Sequence, residues 1–318
     1  MEEADRERME LSLWELYIAF STKLPRILAV DFGLRNTGVA SFFPSFSRSK
    51  LQVSLDDPSL CKKGMEKKNM TKISTREARE VGIEYARFLS NRMGPGDNGQ
   101  QCLCLLETQP PSKVTGGLGR TTRAFATAIE DAMMYDGSFR VESRTVCKYK
   151  RTDLGFIVHK DRDKNKKVSK GIARILKQYY PDAIDGPEEW DKNADMCDAL
   201  LLLLSELVEW VRCQDIFNCR TSNSSQHLML VMFLLEYDKN RQDSEWMNQF
   251  IQDLSDNRLH QLFCELSYVQ PVGMSSVALS KRKTRKNGIS GVKPHAVSTP
   301  VSPLIISPML EKPSNPLP

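Results

Sequence analysis

Four carboxylates stand where an apolar run meets a turn, positions from which a side chain can be held by a buried element and still reach a substrate. Asp31 closes the run Ile27-Leu28-Ala29-Val30 and precedes Phe32-Gly33, and Glu107 closes the apolar segment 101–106. Asp195 and Asp198 open segment 193–212, which contains Leu200 to Leu204. These last two are three residues apart, so on a helix they face the same way. Acids at strand ends converge on one edge of an α/β sheet, where such sheets place their ligands. Carboxylates gathered there repel one another unless a cation holds them, and hard oxygen donors select magnesium or manganese. Two such ions about 3.5–4 Å apart serve in-line phosphodiester chemistry. Each acid also has a plainer explanation: a strand-terminating turn for Asp31, an exposed strand end for Glu107, a complement to the helix macrodipole for Asp195 and Asp198. Jointly these lose force, because every one of the acids adjoins a buried element.

Basic residues cluster as sharply. The chain carries a net charge of +5, yet segment 148–177 holds eleven Lys and Arg against Asp153, Asp161 and Asp163. A basic segment on an otherwise acidic body points to a located polyanion contact. Lys164, Lys166, Lys167 and Lys170, with Lys160, Arg162, Arg174 and Lys177, suit phosphate contacts that neutralise a backbone without reading its sequence; a solvated helix face is the alternative for any one of them. Lys113, Arg120 and Arg123 follow the Glu107 segment and are placed to grip a phosphate near the acids. Gly116-Gly117-Leu118-Gly119 is not followed by GK[ST], so it reads as a flexible loop and not a P-loop. Phe125, Tyr135, Tyr149 and Phe156 are candidates for stacking on unpaired bases, although Phe125 and Tyr135 also fit core packing on a helix.

The elements that must position these residues are legible from periodicity. Residues 1–24 read as an amphipathic helix ending at Pro25, with Leu11, Trp14, Ile18 and Leu24 on one stripe. Segments 27–31, 37–43 and 51–55 make a three-strand meander. Ser74 and Glu77 form a capping-box pair ahead of Val81, Tyr85, Phe88 and Leu89, and Gly94-Pro95-Gly96 stops that helix. A strand at 101–107, a helix at 121–135, a strand at 139–146, a Lys-rich helix through Tyr179 and a helix at 193–212 follow. This order predicts a mixed α/β five-stranded sheet with helices on both faces. Residues 213–268 read as a helical extension with two further helices. Residues 269–318 hold eight of the sixteen prolines and seven Lys/Arg against Glu311 alone, the composition of a disordered basic tail. Within it, Lys281-Arg282-Lys283-Thr284-Arg285-Lys286 reads as a nuclear import signal or a DNA-holding arm.

Asp31-Phe32-Gly33-Leu34-Arg35-Asn36-Thr37-Gly38, then Leu105-Leu106-Glu107-Thr108-Gln109, then Asn193-Ala194-Asp195-Met196-Cys197-Asp198-Ala199-Leu200 resemble, in order and spacing, the three motifs of RuvC-like Holliday junction resolvases of the ribonuclease H superfamily. The poxvirus-type and large-DNA-virus branch is the most similar, because a Lys/Arg-rich loop and helix precede the last acid pair. The resemblance covers residues 26–212. It implies a ribonuclease H-like sheet and a magnesium-dependent endonuclease acting in DNA recombination and replication, which cuts strands symmetrically across a four-way junction. Asp31, Glu107, Asp195 and Asp198 would bind two Mg²⁺ ions, with Mn²⁺ a possible substitute. Ala194 departs from the pattern, since relatives of this branch often carry an extra Asp there, and the lysine-rich stretch from Lys62 to Lys72 is longer than in compact members. A four-way junction offers two equivalent strands and this chain one set of acids, so a homodimer is expected.

Other classes fit less well. An RNA–DNA hybrid or flap nuclease shares the fold and metals and differs only in its substrate surface. An actin-like ATPase also opens with a strand and a DxG turn, but it needs a duplicated domain and a second glycine-rich phosphate loop. An inactive DNA-binding scaffold would have no need of the acids. Eight scattered cysteines without a CxxC pair argue against a disulfide framework and against a zinc site. No apolar stretch approaches the roughly 20 residues of a spanning helix. The acidic first ten residues fit neither a secretory signal nor a transit peptide, so an intracellular address is expected, in the nucleus or at a viral DNA replication site.

Overall fold

Short apolar runs form strands where expected. In the computed structural model, which describes residues 3–33, 36–46, 49–61, 73–94, 101–108, 116–214 and 224–269, the strands are β1 (Ile27–Asp31), β2 (Thr37–Phe43), β3 (Lys50–Asp56), β4 (Cys102–Glu107) and β5 (Phe139–Arg144). They build one sheet in the order β3-β2-β1-β4-β5. β1, β2 and β3 pair antiparallel, whereas β4 lies parallel to β1 and β5 parallel to β4. The helices are α1 (Glu3–Lys23), α2 (Thr75–Met93), α3 (Gly116–Asp136), α4 (Arg162–Tyr179), α5 (Ala194–Cys213), α6 (Ser224–Asn240), α7 (Ser244–Ser255) and α8 (Arg258–Glu265).

β1 is buried along its whole length, as a strand covered on both faces must be. One cover is α2 and α3, over Leu28, Val30, Val39, Cys104 and Leu106. The other is α5, over Ala29, Ala40, Phe42, Leu103 and Leu105, in a core that continues into α1, α4, α6, α7 and α8. The expected mixed five-stranded sheet with helices on both faces is therefore present. The capping box starts α2, with Ser74 N donating to Glu77 Oε2 at 2.8 Å, and Gly94 ends it with φ at 64°.

Several expectations shift. α3 begins at Gly116, so the Gly116–Gly119 segment is a helix start and not a loop. The buried stripe of α1 is Leu13, Leu16, Tyr17 and Phe20, continued by Leu24 just past its end, while Leu11 is exposed and Trp14 and Ile18 are half-covered. Aromatic partners distant in sequence decide this: Tyr17 lies 4.7 Å from Tyr237, and Phe20 lies 5.2 Å from Phe42. β5 ends at Arg144, short of residue 146. Among the described residues between 213 and 268 three helices follow α5 and not two, because Asp243 caps a fresh start and Asn257, at φ 53°, breaks α7 from α8. Among the described residues no helix is long and apolar enough to cross a membrane.

One long-range clasp bears on the basic helix. Ile157 N donates to the Tyr268 carbonyl at 2.7 Å, Phe156 bridges to Val269, and a methyl on Gly171 of α4 would run into the Tyr268 ring. The chain after α8 thus braces both the approach to α4 and α4 itself. Lys113, the Lys62–Lys72 stretch and Lys281–Lys286 lie outside the described residues.

Candidate active site

Strand register brings the first two acids together. Val30 pairs with Leu106 in the parallel ladder, so the next residues, Asp31 and Glu107, stand side by side at the carboxyl ends of adjacent strands. Side chains alternate along a strand, and Ile27 and Ala29 on β1, like Leu103 and Leu105 on β4, belong to the α5 core. Asp31 and Glu107 continue these series and meet that helix. Asn193 caps α5 by accepting from the backbone N–H groups of Asp195 and Met196 at 3.0 and 3.1 Å. Gly38 on β2 lets the first turn of α5 come close, since a methyl there would strike the Asp195 carbonyl.

Carboxylate oxygens of Asp31, Glu107 and Asp198 lie within 4.8 Å of one another. Asp31 and Asp198 are buried, and Glu107 keeps an edge open to solvent. Burial, reinforced by Glu107, Asp198 and Asp195, holds the Asp31 carboxyl well above the usual carboxylate range, against the opposing pull of Lys150. Burial and then Asp198 push Glu107 up to about 7, with Lys150, the Tyr149 hydrogen bond and Arg162 acting the other way. Enclosed carboxylates this close favour protons or a cation. Hard oxygen donors held on three separate elements fit a divalent metal ion. Asp195 stands one turn earlier on α5, outside this trio, with its Oδ1 2.8 Å from Lys166 Nζ.

Sequence reasoning gave the segment that faces the trio another role, taking Tyr149 for a stacking ring and leaving Lys150 unnamed. Residues Cys147–Asp153 form a π-helical turn in which Leu154 N donates to the Tyr149 carbonyl at 3.1 Å. Such wide turns recur at functional sites. This one aims two consecutive side chains inward. Tyr149 OH donates to Glu107 Oε2 at 2.8 Å, and Lys150 Nζ donates to Asp198 Oδ1 at 2.6 Å and to Ser169 Oγ at 2.8 Å. Tyr149 is thus a buried partner of an acid and not a base-stacking surface, and burial with the Glu107 charge pushes its phenol further above its ordinary value. Asp153 anchors the turn: Lys148 Nζ lies 2.8 Å from its Oδ1, Arg144 Nη1 3.8 Å from its Oδ2, and Arg212 Nη2 donates to its carbonyl at 2.9 Å. Arg144 in turn holds Glu206 and Ser205 of α5, so strand, turn and helix are tied together behind the acids.

The expected phosphate-binding residues divide into groups. Arg120 and Arg123 are exposed near the start of α3, and Lys164 and Lys167 are exposed on α4, with Lys170 half-covered. Lys166 is instead committed to Asp195. Lys177 and Arg174 face Asp191 at 2.8 and 4.0 Å. Phe156 is buried against Phe263 and Phe125 lies in the core, which removes both as stacking platforms, whereas Tyr135 is 94% exposed.

No family model and no curated protein matches the chain. Two solved structures resemble it at low identity. One is T. thermophilus RuvC in complex with a Holliday junction substrate, 12% identical, with a TM-score of 0.35 over 59% of this chain and 96% of that one. The other is the yeast mitochondrial Holliday junction resolvase, 13% identical, with a TM-score of 0.38 over 73% of this chain and 96% of that one.

Proposed function

We propose that this chain is a magnesium-dependent endonuclease that cuts four-way DNA junctions in recombination and replication, with Asp31, Glu107, Asp195 and Asp198 as its catalytic acids. The observation that carries this reading is the convergence of Asp31, Glu107 and Asp198, from two strands and a helix, within 4.8 Å of one another. The motif resemblance points to the branched substrate. Asp31, Glu107 and Asp198 would hold the first ion, and Asp195 would help complete the pair that the resemblance implies for the DNA-bound state. Ions held there supply a nucleophilic water at neutral pH and positive charge beside the departing oxygen. The protein's own groups do the rest. Tyr149 fixes the orientation of Glu107, and Lys150 and Lys166 fix Asp198 and Asp195. Lys164, Lys167 and Lys170, with Arg120, Arg123 and Lys113, neutralise phosphates of the junction arms. We propose in addition a two-fold dimer that presents two such sites, and an address in the nucleus, with residues 281–286 as the import signal, or at a viral DNA replication site.

Cleavage of matched four-way, flap, duplex and RNA–DNA substrates in Mg²⁺ tests the assignment. Paired cuts in the four-way substrate are the expected result. Faster cutting of the hybrid or the flap would reassign the substrate, and cutting of none would end the nuclease reading.

A further inference from the structure

Two helices that carry none of the acids bring a thiol, an imidazole and a hydroxyl into line. His260 and Cys264 are four residues apart on α8, so they share a face, and Cys264 Sγ lies 3.3 Å from His260 Nε2. The other ring nitrogen, Nδ1, lies 3.4 Å from the Oγ of Ser225 in the first turn of α6. Ser225 is 3% exposed, whereas His260 and Cys264 are half-buried and keep an edge open to solvent. Burial lowers the pKa of His260 and raises that of Cys264, so at neutral pH the pair rests as imidazole and thiol. The thiol then donates to Nε2, while Nδ1 carries the ring proton and donates to Ser225 Oγ. A nucleophile, a base and a third group that fixes the tautomer of the base form the arrangement by which proteins activate a sulfur or oxygen atom.

A metal site fits this group less well. Among the described residues no third His, Cys, Asp or Glu donor closes a cluster with His260 and Cys264, and a structural zinc ion needs four ligands. We propose that Cys264 is a site of reversible modification by low-molecular-weight disulfides, with His260 as its base and Ser225 positioning the ring. In that exchange the Sγ–H proton passes to His260 Nε2 as Sγ attacks one sulfur of the disulfide. The S–S bond of the small molecule breaks, and the departing sulfur takes the proton back from Nε2. A protein thiol and a small disulfide thus become a mixed disulfide and a small thiol, with no other oxidant required. The modified residue belongs to the turn that leads into the clasp on α4: Ser267 N donates to the Cys264 carbonyl at 2.9 Å, and Tyr268 N to the Phe263 carbonyl at 2.8 Å. None of this depends on the nuclease reading.

The test is incubation of the full chain with oxidised glutathione at neutral pH, samples being quenched in acid over time and each cysteine peptide quantified by mass spectrometry. Cys147 and Cys213 are exposed and serve as internal standards. A positioned base is typically worth about 10²–10⁴-fold and partial burial takes some of that back, so Cys264 is expected to react about tenfold faster than either standard. In urea, where ring and sulfur are no longer held together, the three rates should converge. His260→Gln should bring the Cys264 rate down to that of the standards or below it, and Ser225→Ala should lower it severalfold, with circular dichroism confirming that each variant is folded. Reaction of Cys264 no faster than the standards in the native parent, or an unchanged rate in folded His260→Gln, would overturn the proposal. If neither variant folds, the comparison of native with urea-treated parent decides.

Discussion

Replacing Asp31 with Asn or Glu107 with Gln keeps the size of each side chain and removes the charge that a divalent ion needs. Loss of a supporting outer-shell group costs about 10–100-fold, so each of these changes is expected to lower single-turnover cleavage by more than about a hundredfold. Junction affinity measured by mobility shift should stay near the parental value, because the proposed function assigns phosphate contacts to the lysines and not to the acids. Cleavage within about tenfold of the parent in both variants, a difference of only about 1.4 kcal/mol in barrier, would remove these acids from the mechanism. Proton binding gives an independent check. Glu107 titrates near 7, above its unfolded value, so the folded state takes up the proton more readily. Its stabilising contribution is full below the unfolded value and is lost as pH rises through about 7. In a chelator, the Tm of the parent relative to Glu107→Gln should therefore fall between about pH 5 and pH 8, and Mg²⁺ should flatten that fall. The four acids were legible because each ends or opens an apolar run. Tyr149 and Lys150 were not, since a π-helical turn has no sequence period and a buried lysine reads like any exposed one.

Two elements position the chemistry, and each can be perturbed separately. On α4, neutralising Lys164, Lys167 and Lys170 should weaken junction binding and reduce its log–log salt slope by about 0.9 for each DNA phosphate that is no longer neutralised. Lys166→Ala on the same helix should behave differently, lowering cleavage more than binding, because its partner is Asp195. An equal effect of both changes on the salt slope would mean that Lys166 is one more phosphate ligand. On β2, Gly38→Ala drives a methyl into the first turn of α5. Overpacking of this kind costs about 1–3 kcal/mol, to be read from urea unfolding, and cleavage should drop further than stability because Asp195 and Asp198 ride on that turn. Unchanged cleavage would show that the start of α5 yields without moving the acids. The helices themselves were readable from period and caps. Which face of α1 is buried was not, because Leu11-Trp14-Ile18 and Leu13-Leu16-Phe20 both satisfy helical spacing and the choice falls to Tyr237, Phe42 and Trp210, far along the chain.

At the scale of the whole molecule, the described residues carry one acid trio, and a four-way junction has two equivalent strands to cut. A two-fold dimer relates two sites as the two cuts are related. Sedimentation at micromolar concentration, with and without junction DNA, should show the dimer; a strict monomer that still makes paired cuts would require another account. Fold class was legible from the order of strands and helices. The way α6, α7 and α8 join the α5 core was not, because it depends on packing between distant segments. The clasp of Tyr268 and Val269 on residues 156–157 and on Gly171 has a consequence for synthesis. A ribosome delivers the amino end first, at about 5–20 residues per second, so all four acids and the whole lysine helix leave the exit tunnel seconds before their brace. Until residue 269 follows, the flank of α4 that Tyr268 covers stays bare.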